Sequence, residues 1–301
     1  MASEKNIIAE HKSSQVTLVG LVVCILVIAF WSVGLTLTRI WSSQPDMSHG
    51  FFVPIVSLWL LWFRSDLIPE KGEIGGVGSV FAGVVIILLG IAIRCFGILY
   101  HSLTFETWSV LPVVLGTVIG IGGWKGLRWA WPSVVFLAFM LPLPAAVGGM
   151  FGAKLQSLST VVSNFTLQLV GIPAVAEGNV IWLSSQPLGV AEACNGLRML
   201  TAFFAISVAT CFILDRPVWQ KVVLLASAPF VGVVANVFRI TLIGIIYEQE
   251  PGEAMSKFAH DFAGWTMMPF AIVILVIELW VLSGLILPDD STLPYHDDAP
   301  V

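Results

Sequence analysis

Charge is what this chain has least of. Only 11% of its 301 residues are Asp, Glu, Lys or Arg, where a soluble domain carries about a quarter. The 14 Lys and Arg are scattered, with no basic run, and the formal net charge is −5. Nucleic acid is therefore not an expected partner, because phosphate binding needs clustered cations. Cysteine is scarce as well. The four thiols, Cys24, Cys95, Cys194 and Cys211, form no disulfide framework. Cys194 and Cys211 fall on one expected helix, about 25 Å apart at 1.5 Å per residue. A disulfide spans roughly 7 Å between Cα atoms at most. Cys24 and Cys95 lie inside apolar segments and read as packing residues. No CxxC or His/Cys spacing of a zinc site occurs, so neither metal nor cofactor is expected. The apolar run from Val16 to Leu37 lacks a small-residue cleavage site and is too long for a signal-peptide core. It reads as an uncleaved first span. No convincing internal repeat marks a transporter built from inverted halves.

Apolar residues are what remains. They make up 57% of the chain, with mean hydropathy +0.93, which calls for an all-α polytopic membrane protein. Hydropathy predicts eight spans, near 16–38, 51–63, 77–100, 107–123, 129–143, 195–214, 218–247 and 263–287. Segment 1–15 precedes them, residues 16–287 form one integral membrane domain, and 288–301 is an acidic tail. A cytoplasmic N-terminus puts Lys5, Lys12, Arg64, Lys71, Lys125, Arg128, Arg216 and Lys221 inside. The opposite loops hold only Arg39, Lys154 and Lys257. Positive charge follows the cytoplasm, so both termini are expected there.

Segment 144–194 stands apart. Pro142-Leu-Pro144 ends the fifth span. Residues 151–170 alternate polar and apolar side chains at helical spacing, including Lys154, Gln156, Ser157, Asn164 and Gln168. That pattern predicts an amphipathic helix lying at the external interface. Gly, Pro and Asn punctuation around Val180–Leu183 and Leu188–Val190 predicts a short β-hairpin after it. The hairpin delivers Cys194 to the external mouth of the sixth span.

Cys194 lies where a polar connector becomes an apolar helix. Unpaired N–H groups and the positive end of the helix dipole favour its thiolate there. Two further polar groups fall on the same side. Arg239 sits inside an apolar run, about 12 Å below the outer end of the seventh span. An Arg at that depth costs on the order of 2–3 kcal/mol unless it meets a partner or a polar cavity. Asn236, three residues earlier, shares its face. His260 precedes the eighth span and can carry a proton near neutral pH. Cys as nucleophile, His as proton carrier and Arg beside a developing oxyanion form a coherent acyl-transfer set. Arg198 lies one turn below Cys194 and could depress the thiol pKa or bind a carboxylate. Glu192 could pair with either Arg. Ser48 and His49 form a polar, turn-capable spot before Pro54 that could line the same cavity.

The order of these motifs resembles the exosortase/archaeosortase family of membrane cysteine transpeptidases. The matching elements are Ser48-His-Gly50 with Val53-Pro54, Pro142-Leu-Pro144, Ala193-Cys-Asn-Gly-Leu-Arg198, Asn236-Val-Phe-Arg239, and His260 with Gly264. The resemblance implies that Cys194, Arg239 and His260 are the catalytic Cys, Arg and His. It implies substrates that are secreted proteins with a C-terminal sorting signal: a short motif such as Pro-Glu-Pro, a transmembrane helix and a basic end. An envelope acceptor would receive them at the outer face of a bacterial inner membrane. Asn195 departs from the Ser that family members commonly carry after the Cys, which bears on subtype and motif preference. The residues alone leave two other classes open, a membrane transporter and a non-enzymatic factor for envelope polysaccharide assembly.

Overall fold

A backbone in lipid finds no water for its N–H and C=O groups, so apolar runs of this length must become helices. The computed structural model describes residues 20–22, 24–69, 76–190, 196–249 and 252–284. Its side-chain description excludes positions 45–46, 145–146, 196–199, 253–257, 259–261, 263–265 and 267–268. The helices are α1 (Gly20–Ala29), α2 (Trp31–Ser43), α3 (Val53–Phe63), α4 (Val77–Leu99) and α5 (Leu103–Trp108). There follow α6 (Val110–Phe136), α7 (Ala145–Leu169), α8 (Gly196–Ile213), α9 (Val218–Glu248) and α10 (Glu253–Gly284). A 3₁₀ turn, Pro45–Phe51, joins α2 to α3.

Among the described residues, three helical runs are long and apolar enough to cross a membrane: Val77–Leu99, Leu103–Met140 and Val218–Glu248. There are four if α1 and α2, bent by 62°, count as one span. The expected second, sixth and eighth spans contain shorter apolar helices, Val53–Phe63, Leu200–Ile213 and Pro269–Gly284. Hydropathy windows count apolar residues but do not register where prolines, bends and polar contacts divide them.

Each break has a physical cause. Gly123 takes φ 63°, ψ −161° inside α6, a conformation that only glycine adopts readily. A Cβ on Gly126 would lie 3.3 Å from the Val118 carbonyl, whereas an unbroken helix separates such residues by about 12 Å. The chain therefore folds back at Gly123, and the expected spans 107–123 and 129–143 are the two arms of one hairpin. Pro132, in the second arm, has no N–H for the carbonyl four residues earlier. Arg64 supplies the donor instead, with Nη2 3.2 Å from the Arg128 carbonyl and Nε 3.2 Å from that of Trp129. At the α1–α2 bend, Arg94 of α4 donates to the Ala29 carbonyl and to Ser32 Oγ, and its guanidinium lies 4.7 Å from the Phe30 ring centre.

Helix α4 meets the first arm of α6 through Gly83 and Gly90, and α5 through Gly97. This seven-residue spacing keeps a small residue on one face, so two backbones approach closely where lipid offers no hydrophobic drive. The opposite face, with Phe81, Leu88 and Leu89, is exposed.

The helix expected at 151–170 is α7, and its polar residues divide: Lys154, Ser157 and Gln168 are exposed, as on a surface helix, but a strip of hydroxyls is not. Ser159, Thr160 and Ser163 are buried, while Phe151, Leu158, Val161 and Phe165 are exposed. A helix floating at an interface turns its polar face to water; this one turns its hydroxyl strip into the bundle, against α9. Polar content alone is the same in both cases, and only the partner helix distinguishes them.

The expected hairpin is part of a three-stranded antiparallel sheet: β1 (Ala174–Glu177), β2 (Val180–Leu183) and β3 (Pro187–Gly189). Glu177 pairs with Val180 across Gly178 and Asn179, with φ +61° at Gly178, as a two-residue hairpin turn requires. Ala174, Ile181, Leu183, Leu188 and Val190 pack on Leu167, Ile240 and Ile243. The Ser184 N–H donates to Glu248 Oε2 at 3.2 Å and Ser185 Oγ donates to the Tyr247 carbonyl at 2.7 Å. The sheet thus caps the end of the bundle where α7 and α9 finish.

Candidate functional site

Helices α8 and α9 are antiparallel, and two contacts fix their register. Cys211 Sγ lies 3.7 Å from the Lys221 carbonyl. A Cβ on Gly232 would lie 3.2 Å from Leu200 Cα. Eleven residues back along α8 thus match eleven residues forward along α9. The same register continued by four residues brings Gly196, the first residue of α8, level with Asn236. Arg239 lies three residues beyond. Glu192, Cys194 and Asn195 lie outside the described residues. Arg198 falls in the first turn of α8, placed by its backbone alone.

Asn236 and Arg239 are both buried on α9, at 1% and 8% exposure. Asn236 Nδ2 donates to Ser159 Oγ of α7 at 3.0 Å. Its Oδ1 is buried without a partner among the described residues, as is Ser163 Oγ one turn further along α7. Phe238, beside Arg239, stacks on Phe270 of α10 with ring centres 4.6 Å apart. The arginine therefore emerges between two helices that grip α9 from different sides.

His260 is placed by the backbone of α10. That helix runs antiparallel to α9, with Gln220 Nε2 on the Leu282 carbonyl at 3.0 Å and Ser227 Oγ on Glu278 Oε1 at 2.5 Å. From Phe270 back to His260 is ten residues, roughly 15 Å toward the sheet. The same count along α9 leads from Phe238 to Glu248. His260 thus stands level with the end of α9, above Arg239 rather than beside it.

His49 belongs to a different level. Its Nε2 donates to the Phe139 carbonyl at 3.1 Å, and Ser48 beside it is exposed. Trp41 Nε1 donates to the Met140 carbonyl and Trp108 Nε1 to that of Pro142, each at 2.9 Å. Three side chains thus hold the 3₁₀ turn Leu137–Met140 and the Pro142-Leu-Pro144 segment that follows it. A Cβ on Gly50 would fall on the Trp41 ring, which accounts for glycine after Ser48 and His49. His49 also lines two apolar cavities. One, about 350 Å³, includes Trp108, Leu141, Leu200, Thr201 and Phe204. The other, about 440 Å³, includes Val53, Phe136, Ala202 and Ala205. The first reaches within one turn of the start of α8 and opens past Leu143, Val147 and Phe151, which are exposed.

Ser159 and Ser163 were not expected at this site. Their spacing with Thr160 and Leu167 marks one helical face, but sequence cannot say whether that face meets water or α9. Profile comparison matches residues 41–277 to the transmembrane exosortase family. No curated protein and no solved structure matches the chain. With the profile covering well over half its length, the chain belongs to the transmembrane exosortase family.

Proposed function

We propose that this protein is a membrane cysteine transpeptidase that cleaves the C-terminal sorting signals of secreted proteins and transfers them to an envelope acceptor. The observation that carries this reading is the α8–α9 register. It brings Gly196, two residues after Cys194, level with Asn236 and within one turn of Arg239, which supports a nucleophile and a cation drawn from adjacent helices. The Cys194 thiolate attacks the scissile carbonyl, Arg239 stabilises the tetrahedral oxyanion, and the carbonyl re-forms as the peptide amine leaves. His260 carries the thiol proton to that amine. The resulting thioester yields to an amine of the acceptor, which loses its proton as the thiolate returns. The anchor helix departs while the cargo stays bound, which suits a site at a membrane face.

Eight crossings fit this reading, with the shorter apolar helices completing the bundle and both termini in the cytoplasm. The sheet end is external. Arg64 and Arg128 gather at the opposite end, beside the α8–α9 turn that carries Arg216, as Trp131 against Phe212 indicates (5.2 Å). The test is co-expression with a reporter ending in a Pro-Glu-Pro motif, a transmembrane helix and a basic end. Cys194→Ala, Arg239→Ala and His260→Ala should each abolish its processing while remaining in the membrane. Processing at the wild-type rate by Cys194→Ala would overturn the reading in favour of a non-enzymatic role or transport.

A further inference from the structure

We infer that Ser159 of α7 is a positioning residue, which sets Arg239 through Asn236. The inference rests on the reading that Arg239 acts beside Cys194. Helices α7 and α9 are parallel and matched at two points, Ser159 to Asn236 and Leu167 to Gly244. The two points are eight residues apart on each helix, so the register holds between them. Arg239 lies inside that interval. At the far point a Cβ on Gly244 would come within 2.9 Å of Leu167 Cδ2, which locks the helices at close range. At the near point the lock is polar: the buried Asn236 amide donates to the buried Ser159 hydroxyl at 3.0 Å. Asn236 and Arg239 share a helical face, so any turn of α9 that moves the guanidinium must first break this bond. Phe238 against Phe270 resists the same rotation from α10.

The amide also acquires a direction. Because its Nδ2 is held by Ser159, its Oδ1 is the acceptor left on the face shared with Arg239, buried without a partner among the described residues. Ser163, at 0% exposure, continues the polar strip one turn further, past the level of Arg239. Helix α7 is thus a wall of the site, although none of its residues carries the reaction.

The test uses the full chain in lipid nanodiscs with Cys24, Cys95 and Cys211 replaced by Ala, so that iodoacetamide reports on Cys194 alone. The alkylation rate is followed against pH. Arg239→Ala should raise the midpoint by about one unit, the scale of a neighbouring charge. Ser159→Ala should raise it by about half a unit, Ser159→Thr should restore it, and Ser159→Ala with Arg239→Ala should go no higher than Arg239→Ala. An unmoved midpoint in Ser159→Ala beside a shifted one in Arg239→Ala overturns the inference and leaves the reading of Arg239 intact. An unmoved midpoint in Arg239→Ala overturns both. A rise in Ser159→Ala that Ser159→Thr does not reverse assigns the effect to packing and also overturns it.

Discussion

Leu200 and Gly232 meet backbone to backbone, and a methyl group on the glycine would stand 3.2 Å from Leu200 Cα. This contact holds the start of α8 against the polar turn of α9. Gly232→Leu should push the two apart, and misplacement by about 1 Å can cost on the order of 100-fold in rate. Reporter processing should fall accordingly while the protein still inserts. Gly232→Ala should keep most activity, and wild-type processing by Gly232→Leu would mean that the α8–α9 spacing is unimportant.

Arg64 stands in for an N–H that Pro132 lacks. Arg64→Leu leaves the Arg128 and Trp129 carbonyls without it, at the low end of about 1–3 kcal/mol because Arg128 is exposed. Pro132→Ala restores the backbone donor, so Arg64→Leu should cost less in that background. Reversible unfolding in mixed micelles measures both, and equal costs in the two backgrounds would refute the substitution of one donor for the other.

The α1–α2 bend depends on Arg94. Arg94→Leu removes the donor to the Ala29 carbonyl and the contact with Phe30. Spin labels on either side of the bend should report a broader distance distribution than in the wild type. An unchanged distribution would place the cause of the bend elsewhere.

Glycine on α4 matters by face. Gly90→Leu forces a side chain into Val113, whose Cγ2 would lie 2.5 Å from the new Cβ; overpacking of this kind costs about 1–3 kcal/mol. Gly78 has nothing within 4 Å, and Gly78→Leu should change stability by no more than about 0.5 kcal/mol. Thermal inactivation in detergent separates the two, and equal effects would contradict the described α4–α6 interface.

Some of this was legible in the sequence and some was not. Apolar runs located α4 and α9 closely, because a long uninterrupted stretch has one structural solution in lipid. Arg239 and Asn236 announced themselves as polar groups where lipid penalises them. Gly123 was invisible as a reversal: the sequence Gly122-Gly123 inside an apolar run suits a packed helix as well as a turn. Strand β1 escaped because Ala-Val-Ala-Glu has little β propensity and gains its pairing from β2. Ser159 could not be singled out, since periodicity identifies a face without naming what covers it. The level of His260 depends on the length and packing of α10, which no local motif encodes.

The buried hydroxyl strip of α7 has a consequence for the order in which the protein can be made. Its hydroxyl strip finds its amide partner only when Asn236 has been synthesised, 67 residues after Leu169. At about 5–20 residues per second that interval is roughly 3–13 seconds. During it, α7 is too polar on one side for bare lipid and too apolar on the other for water. The helix must be chaperoned or wait at the headgroups until α9 arrives, so its insertion is an act of assembly rather than of hydropathy.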